Sequence, residues 1–372
     1  MPATALHDYF SGFGVPQLDL EPGVATPLRF SEPREEHLAT RRSCGLFDFS
    51  FMGCAEIAGR ESLAFVNYAQ TRPLDGLPPG KLAYTLLLRE DGTVLNDATV
   101  WHIEGDRYWL MTGRRADLLY LRHIAETFDV IFRDISSRHS VLAVQGPLAT
   151  SLVKQCLPDL VPALPPYYGF AEGRFRAAPC LIARIGYSGD HGYEFVIESA
   201  LAPVLWRTLL DAGKDLGLKP CGFEAVDSLR IEAGHLLYTH ELSLPAYPVE
   251  LGLSRVADVY RGSCHGAGGL LAARHLLPRF CLVGLLPAAR GSMDFGTMQR
   301  IAGIRDHPIG GGSGLLTSVA YSPLFSRILG LGYVSPDDRH PGARVALADG
   351  LAAIVARRPF YDPAKALPRR MF

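Results

Sequence analysis

Residues 81–103, KLAYTLLLREDGTVLNDATVWHI, decide the class of fold, because they have the pattern of two strands joined by a tight turn. Two alternating apolar runs flank Asp91-Gly92, and an Asp-Gly pair is typical of hairpin turns. The second run carries Asp97 among apolar residues, although aspartate is disfavoured in strand interiors. The stretch therefore predicts an antiparallel hairpin that presents a carboxylate on one face.

Outward from this hairpin, segments with strand and helix patterns alternate without an internal repeat. Helices are predicted over residues 35–42, 115–128, 201–217 and 222–236, and strands over 45–57, 106–113 and 180–187. From residue 279 onward, short apolar strands are separated by Gly, Pro and Asp turns. We therefore predict an α+β protein with an α+β region over residues 1–278 and a C-terminal β-barrel domain over 279–372.

Composition excludes several classes of function. The chain has 372 residues, with 37 Lys+Arg against 38 Asp+Glu and no basic block, so neither nucleic acid nor a membrane surface is an expected partner. No segment is apolar enough to span a bilayer, and no signal-peptide pattern opens the sequence, which predicts a cytoplasmic protein. Seven cysteines without a CxxC pair, and histidines without ligand spacing, predict neither a disulfide framework nor a metal site.

Asp97 is the first candidate for chemistry. Strand alternation places it on one face with Leu95, Thr99 and Trp101. A carboxylate beside a tryptophan on a partly apolar face is a candidate functional acid. The alternative, equally open from the residues alone, is a bulge or strand-end aspartate capped by backbone N–H groups.

The second candidate is residues 184–195, RIGYSGDHGYEF, whose glycines at 186, 189 and 192 follow a strand pattern. Glycine permits positive φ and a close approach to a ligand or to another chain segment. Tyr187 then offers a ring face and Glu194 a bidentate acceptor. The alternative is an ordinary glycine-rich loop with Tyr187 in the core and Glu194 in solvent.

Two further pairs have conventional interpretations. Cys264 and His265 are adjacent and suggest a nucleophile with its base, but neighbours on a loop seldom face each other. Arg230 and Glu232 lie on a predicted helix, and an intramolecular ion pair is the simplest explanation for them.

Taken together, the motifs resemble the glycine cleavage T-protein (aminomethyltransferase) family and its tetrahydrofolate-dependent relatives. The resemblance extends from about residue 35 to 363, and its motifs occur in family order. These motifs are GLFDFSFMG, GKLAYTLLLREDGTVLNDATV, VLAVQGPLA, RIGYSGDHGYEF, DSLRIEAGHLLYTHEL, GLLTSVAYSPLFSRILGLGYV and RRPFYDP.

The resemblance implies a three-domain ring around tetrahydrofolate, with two intertwined α+β subdomains in residues 1–278. It assigns Glu194 to the pterin, whose 2-amino group and N3–H are parallel donors that suit a carboxylate. By the same match Tyr187 lines the pocket, and Asp97 lies near the reacting edge of the folate, orienting N5 and stabilising developing positive charge. It also places three side chains in the pocket lining, each of which is otherwise plain core: Met52, Tyr84 and Trp101.

Departures from the family pattern concern the donor side of the pocket. Val226 stands where the family has a ligand-facing arginine, Gly113 replaces an asparagine, Phe51 replaces a histidine, and CHGAG (264–268) replaces a Phe-Ile-Gly-Lys/Arg-Glu motif. We therefore expect a tetrahydrofolate-dependent methyltransferase or demethylase with a small-molecule methyl donor. The alternatives are an aminomethyltransferase acting on a lipoyl carrier protein and a non-catalytic folate-binding protein.

Overall fold

The computed structural model describes residues 4–157, 164–257, 263–273, 275, 277–288, 313–347 and 351–370. The α-helices are α1 His7–Gly12, α2 Pro33–Arg42, α3 Ser62–Tyr68, α4 Asp117–Ala125, α5 Ala149–Cys156, α6 Ala202–Gly213, α7 Phe223–Glu232 and α8 Ala267–Ala273. The first strands are β1 Gln17–Glu21, β2 Val24–Pro27, β3 Gly45–Asp48, β4 Gly53–Ala58, β5 Lys81–Leu88, β6 Val94–Glu104, β7 Arg107–Thr112, β8 Ile131–Asp134 and β9 His139–Gln145. The remaining strands are β10 Phe170–Phe175, β11 Ala178–Ala183, β12 Gly192–Glu198, β13 Lys219–Pro220, β14 Cys281–Pro287, β15 Ser313–Ser322, β16 Arg327–Val334, β17 Arg344–Leu347 and β18 Ala352–Ala356.

Two sheets organise the first part of the chain. One has six strands in the order β10-β11-β12-β9-β3-β13, and the other has five in the order β5-β6-β7-β4-β8. All strands of the five-stranded sheet come from the segment between β3 and β9, which pair with each other in the six-stranded sheet. The five-stranded sheet is thus an insertion into the other, and the predicted α+β class is confirmed.

The strand predicted over residues 45–57 is wrong, because the chain leaves one sheet and enters the other within it. β3 ends at Asp48 and β4 begins at Gly53. Between them the Ser50 amide donates to Asp48 Oδ1 (2.9 Å) and the Met52 amide donates to the Phe49 carbonyl (3.1 Å). This turn continues the alternation of apolar residues, so the sequence pattern alone does not reveal the break.

The C-terminal strands close on themselves. β14 pairs with both β16 and β18, β15 pairs with both β16 and β17, and the pairing of β17 with β18 closes a five-stranded barrel. Its interior is filled by apolar side chains that include Leu285, Leu316 and Val334. The boundary between residues 278 and 279 stays a prediction.

Arg230 and Glu232 do not pair with each other, because residues two apart on a helix point in different directions. The Arg230 Nη1 donates to Glu241 Oε2 (2.8 Å), and its Nη2 donates to Ser318 Oγ on the barrel (2.7 Å). Glu232 instead accepts from Arg41 Nη2 (2.8 Å). Buried polar bonds therefore join α7 to the barrel on one side and to α2 on the other.

Arg41 is the centre of this second buried network. It also bonds to the Asp190 carboxylate, and its guanidinium lies 3.9 Å from the centroid of the Tyr361 ring. His37 Nε2 lies 3.0 Å from Glu232 Oε1. Four segments distant in the sequence are thereby tied together beside the loop that precedes β12.

The cysteines are all free thiols, and Cys264 is buried. His265 forms a hydrogen bond through Nε2 with the Tyr120 hydroxyl (2.5 Å), so the histidine has a partner other than its neighbour. Nothing in this geometry supports a nucleophile at Cys264. None of the helices in the described part of the chain has the length and apolar character needed to cross a bilayer.

Candidate active site

A cavity of ≈ 560 Å³ lies where the two sheets and the segment after the barrel meet. The strands β5 and β6, the loop before β12, the residues after α7 and residues 358–369 all contribute to its lining. Its volume falls within the range of about 300–1,000 Å³ typical of small-molecule sites. Most of the candidate site residues that the sequence predicts line this cavity.

Asp97 lines this cavity from β6. It pairs in register with Leu86, and the irregularity between β5 and β6 lies at Leu95 instead. Its Oδ2 accepts a hydrogen bond from the Tyr84 hydroxyl (2.8 Å). Burial raises the pKa of Asp97 to about 6, although the Tyr84 hydrogen bond lowers it. The carboxylate is therefore mostly ionised at neutral pH and lies in a site of low polarity, where its charge acts strongly.

Glu194 lies on β12, directly after the glycine-rich loop. Its neighbours in register are Ala143 and Ala183, which offer no side-chain partner. Glu194 is 5% exposed and lines the cavity, and none of the described residues forms a hydrogen bond with its carboxylate. Burial raises its pKa to about 8. A buried carboxylate that opens onto a cavity without a partner fits a ligand with two adjacent N–H donors.

The glycines before Glu194 serve close packing of the chain against itself. A Cβ at Gly186 or Gly192 would lie within 2.5 Å of the Gln145 side chain. Gly189 has φ +80°, and a Cβ there would lie 2.6 Å from Ala233 Cβ. The loop can follow this course only with glycine.

Tyr187 lines the cavity and is held from two sides. Its hydroxyl donates to the Leu236 carbonyl, and its ring stacks on His235 with centroids 5.5 Å apart. His235 Nδ1–H donates to the Tyr187 carbonyl (2.9 Å). The alternative with Tyr187 in the core and Glu194 in solvent therefore does not hold.

Of the three pocket positions suggested by the resemblance, Met52 and Tyr84 line the cavity and Trp101 does not. Trp101 is fully buried against Phe170, with ring centroids 5.1 Å apart, and its Nε1–H donates to Thr99 Oγ1 (2.8 Å). Leu95, which was predicted on the same face, lies at the irregularity and packs with Ala98 and Val100 instead, whereas the alternation holds for Asp97, Thr99 and Trp101. The correction arises because Phe170, from the other sheet, covers the indole.

Three of the four departures from the family pattern line the cavity, at Phe51, Gly113 and Val226, whereas the segment CHGAG (264–268) does not. A Cβ at Gly113 would meet nothing closer than the Tyr238 ring at 4.0 Å, so the missing side chain leaves space. The cavity wall also includes His235, Arg358 and Lys365, which the sequence interpretation did not single out. The basic composition of residues 357–370 was the only available signal for the last two. No group of three metal-ligating side chains occurs among the described residues.

These features suit a ligand that carries paired donors, and the Asp97 carboxylate on the same cavity is available for proton or charge chemistry. Comparison with known proteins agrees. Residues 8–261 match the family model of the GCVT N-terminal domain. The chain is 34% identical over 348 residues to the aminomethyltransferase of Streptomyces avermitilis, covering 91% of each, and 31% identical to that of Bacillus pumilus, covering 97% of this chain and 99% of the other.

The fold agrees as well. The crystal structure of glycine cleavage system aminomethyltransferase T from Bartonella henselae superposes with a TM-score of 0.80 at 25% identity, covering 100% of this chain and 99% of that one. The chain belongs to the aminomethyltransferase (glycine cleavage T-protein) family. It is an enzyme, a transferase that depends on tetrahydrofolate, so the non-catalytic alternative is not supported.

Proposed function

We propose that the protein is an aminomethyltransferase that moves a one-carbon unit from an aminomethyl group on a lipoyl carrier protein to tetrahydrofolate, with release of ammonia. This is one of the alternatives derived from the sequence. Relatives of nearly the same length that are named aminomethyltransferases support it above the demethylase that we expected first.

The observation that carries the proposal is a pair of carboxyl groups on one cavity, Glu194 buried and Asp97 partly buried. Glu194 has no partner in the described chain and suits the parallel donors of a pterin. Tyr187 and Met52 line the same cavity and supply apolar surface. These residues would hold the pterin, and bound tetrahydrofolate would supply the amine that accepts the one-carbon unit.

Asp97 would stabilise the charge that develops during the transfer. Ionised at neutral pH, it offers an acceptor and a negative charge in a site of low polarity. The Tyr84 hydroxyl holds its Oδ2, which fixes the orientation of the carboxylate. We assign to Asp97 the orientation of the reacting amine and the stabilisation of positive charge that develops there.

A second candidate, transfer of a methyl group from a small-molecule donor, is favoured by one observation. Three of the four departures from the family pattern, at Phe51, Gly113 and Val226, line the cavity. They remove polar groups and leave space next to Tyr238, which changes what the donor meets. The cytoplasmic location predicted from the sequence stays a prediction.

Replacement of Asp97 by Asn tests the proposal. The assay follows ammonia and 5,10-methylenetetrahydrofolate from an aminomethyl-loaded lipoyl carrier, and in parallel 5-methyltetrahydrofolate from methylated amines and thioethers. We expect kcat to fall by about 100-fold or more with little change in the Kd for tetrahydrofolate. The matched control is Asp211→Asn, at an exposed position on α6. Full turnover by Asp97→Asn would refute the assigned role, and product only in the second assay would favour the methyl donor.

A further inference from the structure

Asp97 is held by more than its hydrogen bond with Tyr84. Its backbone amide donates to the side-chain carbonyl of Asn96, with 2.9 Å between N and Oδ1. Successive residues of a strand direct their side chains to opposite faces of the sheet. Asp97 lines the cavity, whereas the Asn96 side chain reaches Asp117 at the start of α4. A contact with this helix is thus coupled to the backbone of Asp97.

The Asp97 amide needs the Asn96 side chain because neither neighbouring strand supplies an acceptor. Asp97 pairs in register with Leu86 of β5, but the Leu86 amide and carbonyl form hydrogen bonds with Thr71 instead. On the other side of β6, the pairing with β7 ends at Ala98. The Asn96 carbonyl takes the place of the missing strand residue and completes the backbone hydrogen bonding at Asp97.

Asn96 is itself fixed through both hydrogens of its side-chain amide. Its Nδ2 donates to Asp117 Oδ2 (2.7 Å) and to Thr112 Oγ1 (3.1 Å). The Thr112 hydroxyl donates to the same Asp117 oxygen (2.7 Å), and Arg114 Nε donates to Asp117 Oδ1 (2.8 Å). Asp117 is fully buried. It therefore fixes the orientation of Asn96, because a buried side chain that turned away would leave its polar partners unsatisfied.

These side chains act on a ligand through Asp97 and not by donating to it. Asn96 and Thr112 contribute to the cavity wall, and Asp117 lies outside the lining. Both amide hydrogens of Asn96 and the single hydroxyl hydrogen of Thr112 are used within the group. No donor of these side chains is left for a bound substrate.

The same group acts on the charge of Asp97. Burial is the main cause of the raised pKa of Asp97, and the negative charge of Asp117 adds to it, whereas the hydrogen bond from Tyr84 lowers this pKa. The hydroxyls of Tyr168 and Tyr187 also face Asp97. They are neutral at physiological pH, because burial raises the pKa of both above the ordinary value for tyrosine.

One cation and two further titratable groups surround Asp117. The cation is Arg114, whose side chain is partly exposed, so water screens its charge. Burial raises the pKa of Glu21 and of Tyr238, and the negative charge of Asp117 adds to that effect at both. Toward Asp97, Asp117 therefore acts as a buried negative charge.

We propose that Asn96 and Asp117 are positioning residues for Asp97 in the one-carbon transfer. Asn96 fixes the backbone from which the Asp97 carboxylate projects, and Asp117 fixes Asn96 and keeps a negative charge near that carboxylate. The inference rests on the proposed function, in which Asp97 orients the reacting amine and stabilises positive charge. A displacement of about 1 Å at a reacting group can cost about 100-fold in rate, so loss of these contacts should reduce turnover without weakening substrate binding.

The experiment compares wild type with two variants. Asn96→Ala removes the acceptor for the Asp97 amide, and Asp117→Asn keeps the shape of the side chain but removes its charge. Each protein is assayed for kcat between pH 5 and 9 with aminomethyl-loaded lipoyl carrier and tetrahydrofolate, and for the Kd of tetrahydrofolate by calorimetry. The matched control is Asn67→Ala, because the Asn67 side chain accepts from the Leu74 amide (2.9 Å) outside the cavity.

A second readout does not depend on turnover. Protein labelled with [4-13C]aspartate gives carboxyl signals in NMR spectra, and the signal of Asp97 is identified by its absence from Asp97→Asn. In the free protein its titration should be centred near pH 6 in wild type. In Asp117→Asn the titration should be centred at lower pH, because a nearby negative charge has been removed.

We expect Asn96→Ala to lower kcat by about tenfold or more, with the Kd for tetrahydrofolate unchanged within about twofold. Asp117→Asn should also lower kcat, and the acidic limb of its pH profile should move to lower pH together with the carboxyl titration. Asn67→Ala removes a comparable hydrogen bond and should change neither kcat nor the titration of Asp97. If Asn96→Ala does not fold, Asp117→Asn decides by itself.

A kcat close to that of wild type in both variants, or an Asp97 titration that Asp117→Asn leaves unmoved, would overturn the positioning role. A Kd that weakens by the same factor as kcat falls would also overturn it, because it indicates general damage to the cavity. Full turnover by Asp97→Asn refutes the proposed function instead. The carboxyl titration is measured without substrate, so the two failures are distinguishable.

Discussion

Replacement of Glu194 by Gln should make the protein more stable at alkaline pH while it weakens folate binding. The folded-state pKa of Glu194 is about 8, against an ordinary value of 4.5. The folded protein thus binds this proton more tightly than the unfolded chain. The contribution of Glu194 to the free energy of unfolding is therefore fully present below pH 4.5 and declines as pH rises to about 8. At 1.36 kcal/mol per pKa unit, the decline is about 3 kcal/mol at pH 7 and about 5 kcal/mol above pH 8.

Glutamine carries no titratable proton, so the free energy of unfolding of Glu194→Gln does not show this decline with pH. Urea denaturation of both proteins at pH 5, 7 and 9 should therefore show an advantage of Glu194→Gln that grows with pH toward these values. The control is Glu198→Gln, which changes an exposed glutamate on the same strand. An advantage that is constant across the pH range would refute the reasoning that burial raises the pKa of Glu194.

Binding should change in the opposite direction. Two hydrogen bonds to a charged acceptor contribute about 1.5–3 kcal/mol each, so Glu194→Gln should weaken tetrahydrofolate binding by at least about 100-fold. If the bound form is the carboxylate, wild type should release about 0.9 proton on binding at pH 7, measurable from the dependence of the calorimetric heat on the buffer. An unchanged Kd, or no proton release, would place the pterin elsewhere.

Tyr84→Phe removes a hydrogen bond that lowers the pKa of Asp97. The acidic limb of the pH profile of kcat, expected near pH 6, should therefore move to higher pH. An unmoved limb would argue against the interaction of Tyr84 with Asp97. Arg41→Met leaves two buried carboxylates without their cation and should lower the free energy of unfolding by about 3–5 kcal/mol, whereas Arg60→Met, at a pair whose arginine is 82% exposed, should change it by less than about 1 kcal/mol. Gly189→Ala introduces a Cβ at φ +80° that would lie 2.6 Å from another side chain, so thermal melting should show a loss of about 1–3 kcal/mol, and a neutral result would contradict the packing.

Local patterns determined much of the architecture. The hairpin of β5 and β6 follows from alternation and from Asp91-Gly92, where Gly92 has φ +83°. The same alternation placed Asp97 and Thr99 on the face that lines the cavity. These properties depend on residues close together in the chain, which is why the sequence is sufficient for them.

The order of the motifs along the chain also identified the family, and the resemblance predicted Glu194 and Tyr187 as site residues. It could not show that Glu194 lies on a strand between two alanines, since that depends on pairing with β9 and β11. The sequence did not predict the strand break at residues 49–52 for the same reason, because partners far away in the sequence decide to which sheet a strand belongs.

Tertiary structure alone decided the electrostatic character of the site. Trp101 lies in the core because Phe170 covers it, and Glu194 has a raised pKa because the surrounding chain excludes water. Arg358 and His235 become neighbours of one cavity only when the barrel packs against α7. Sequence thus determined which side chains and elements are present, whereas burial and unpaired charge, which arise from contacts between distant segments, were decided by the fold.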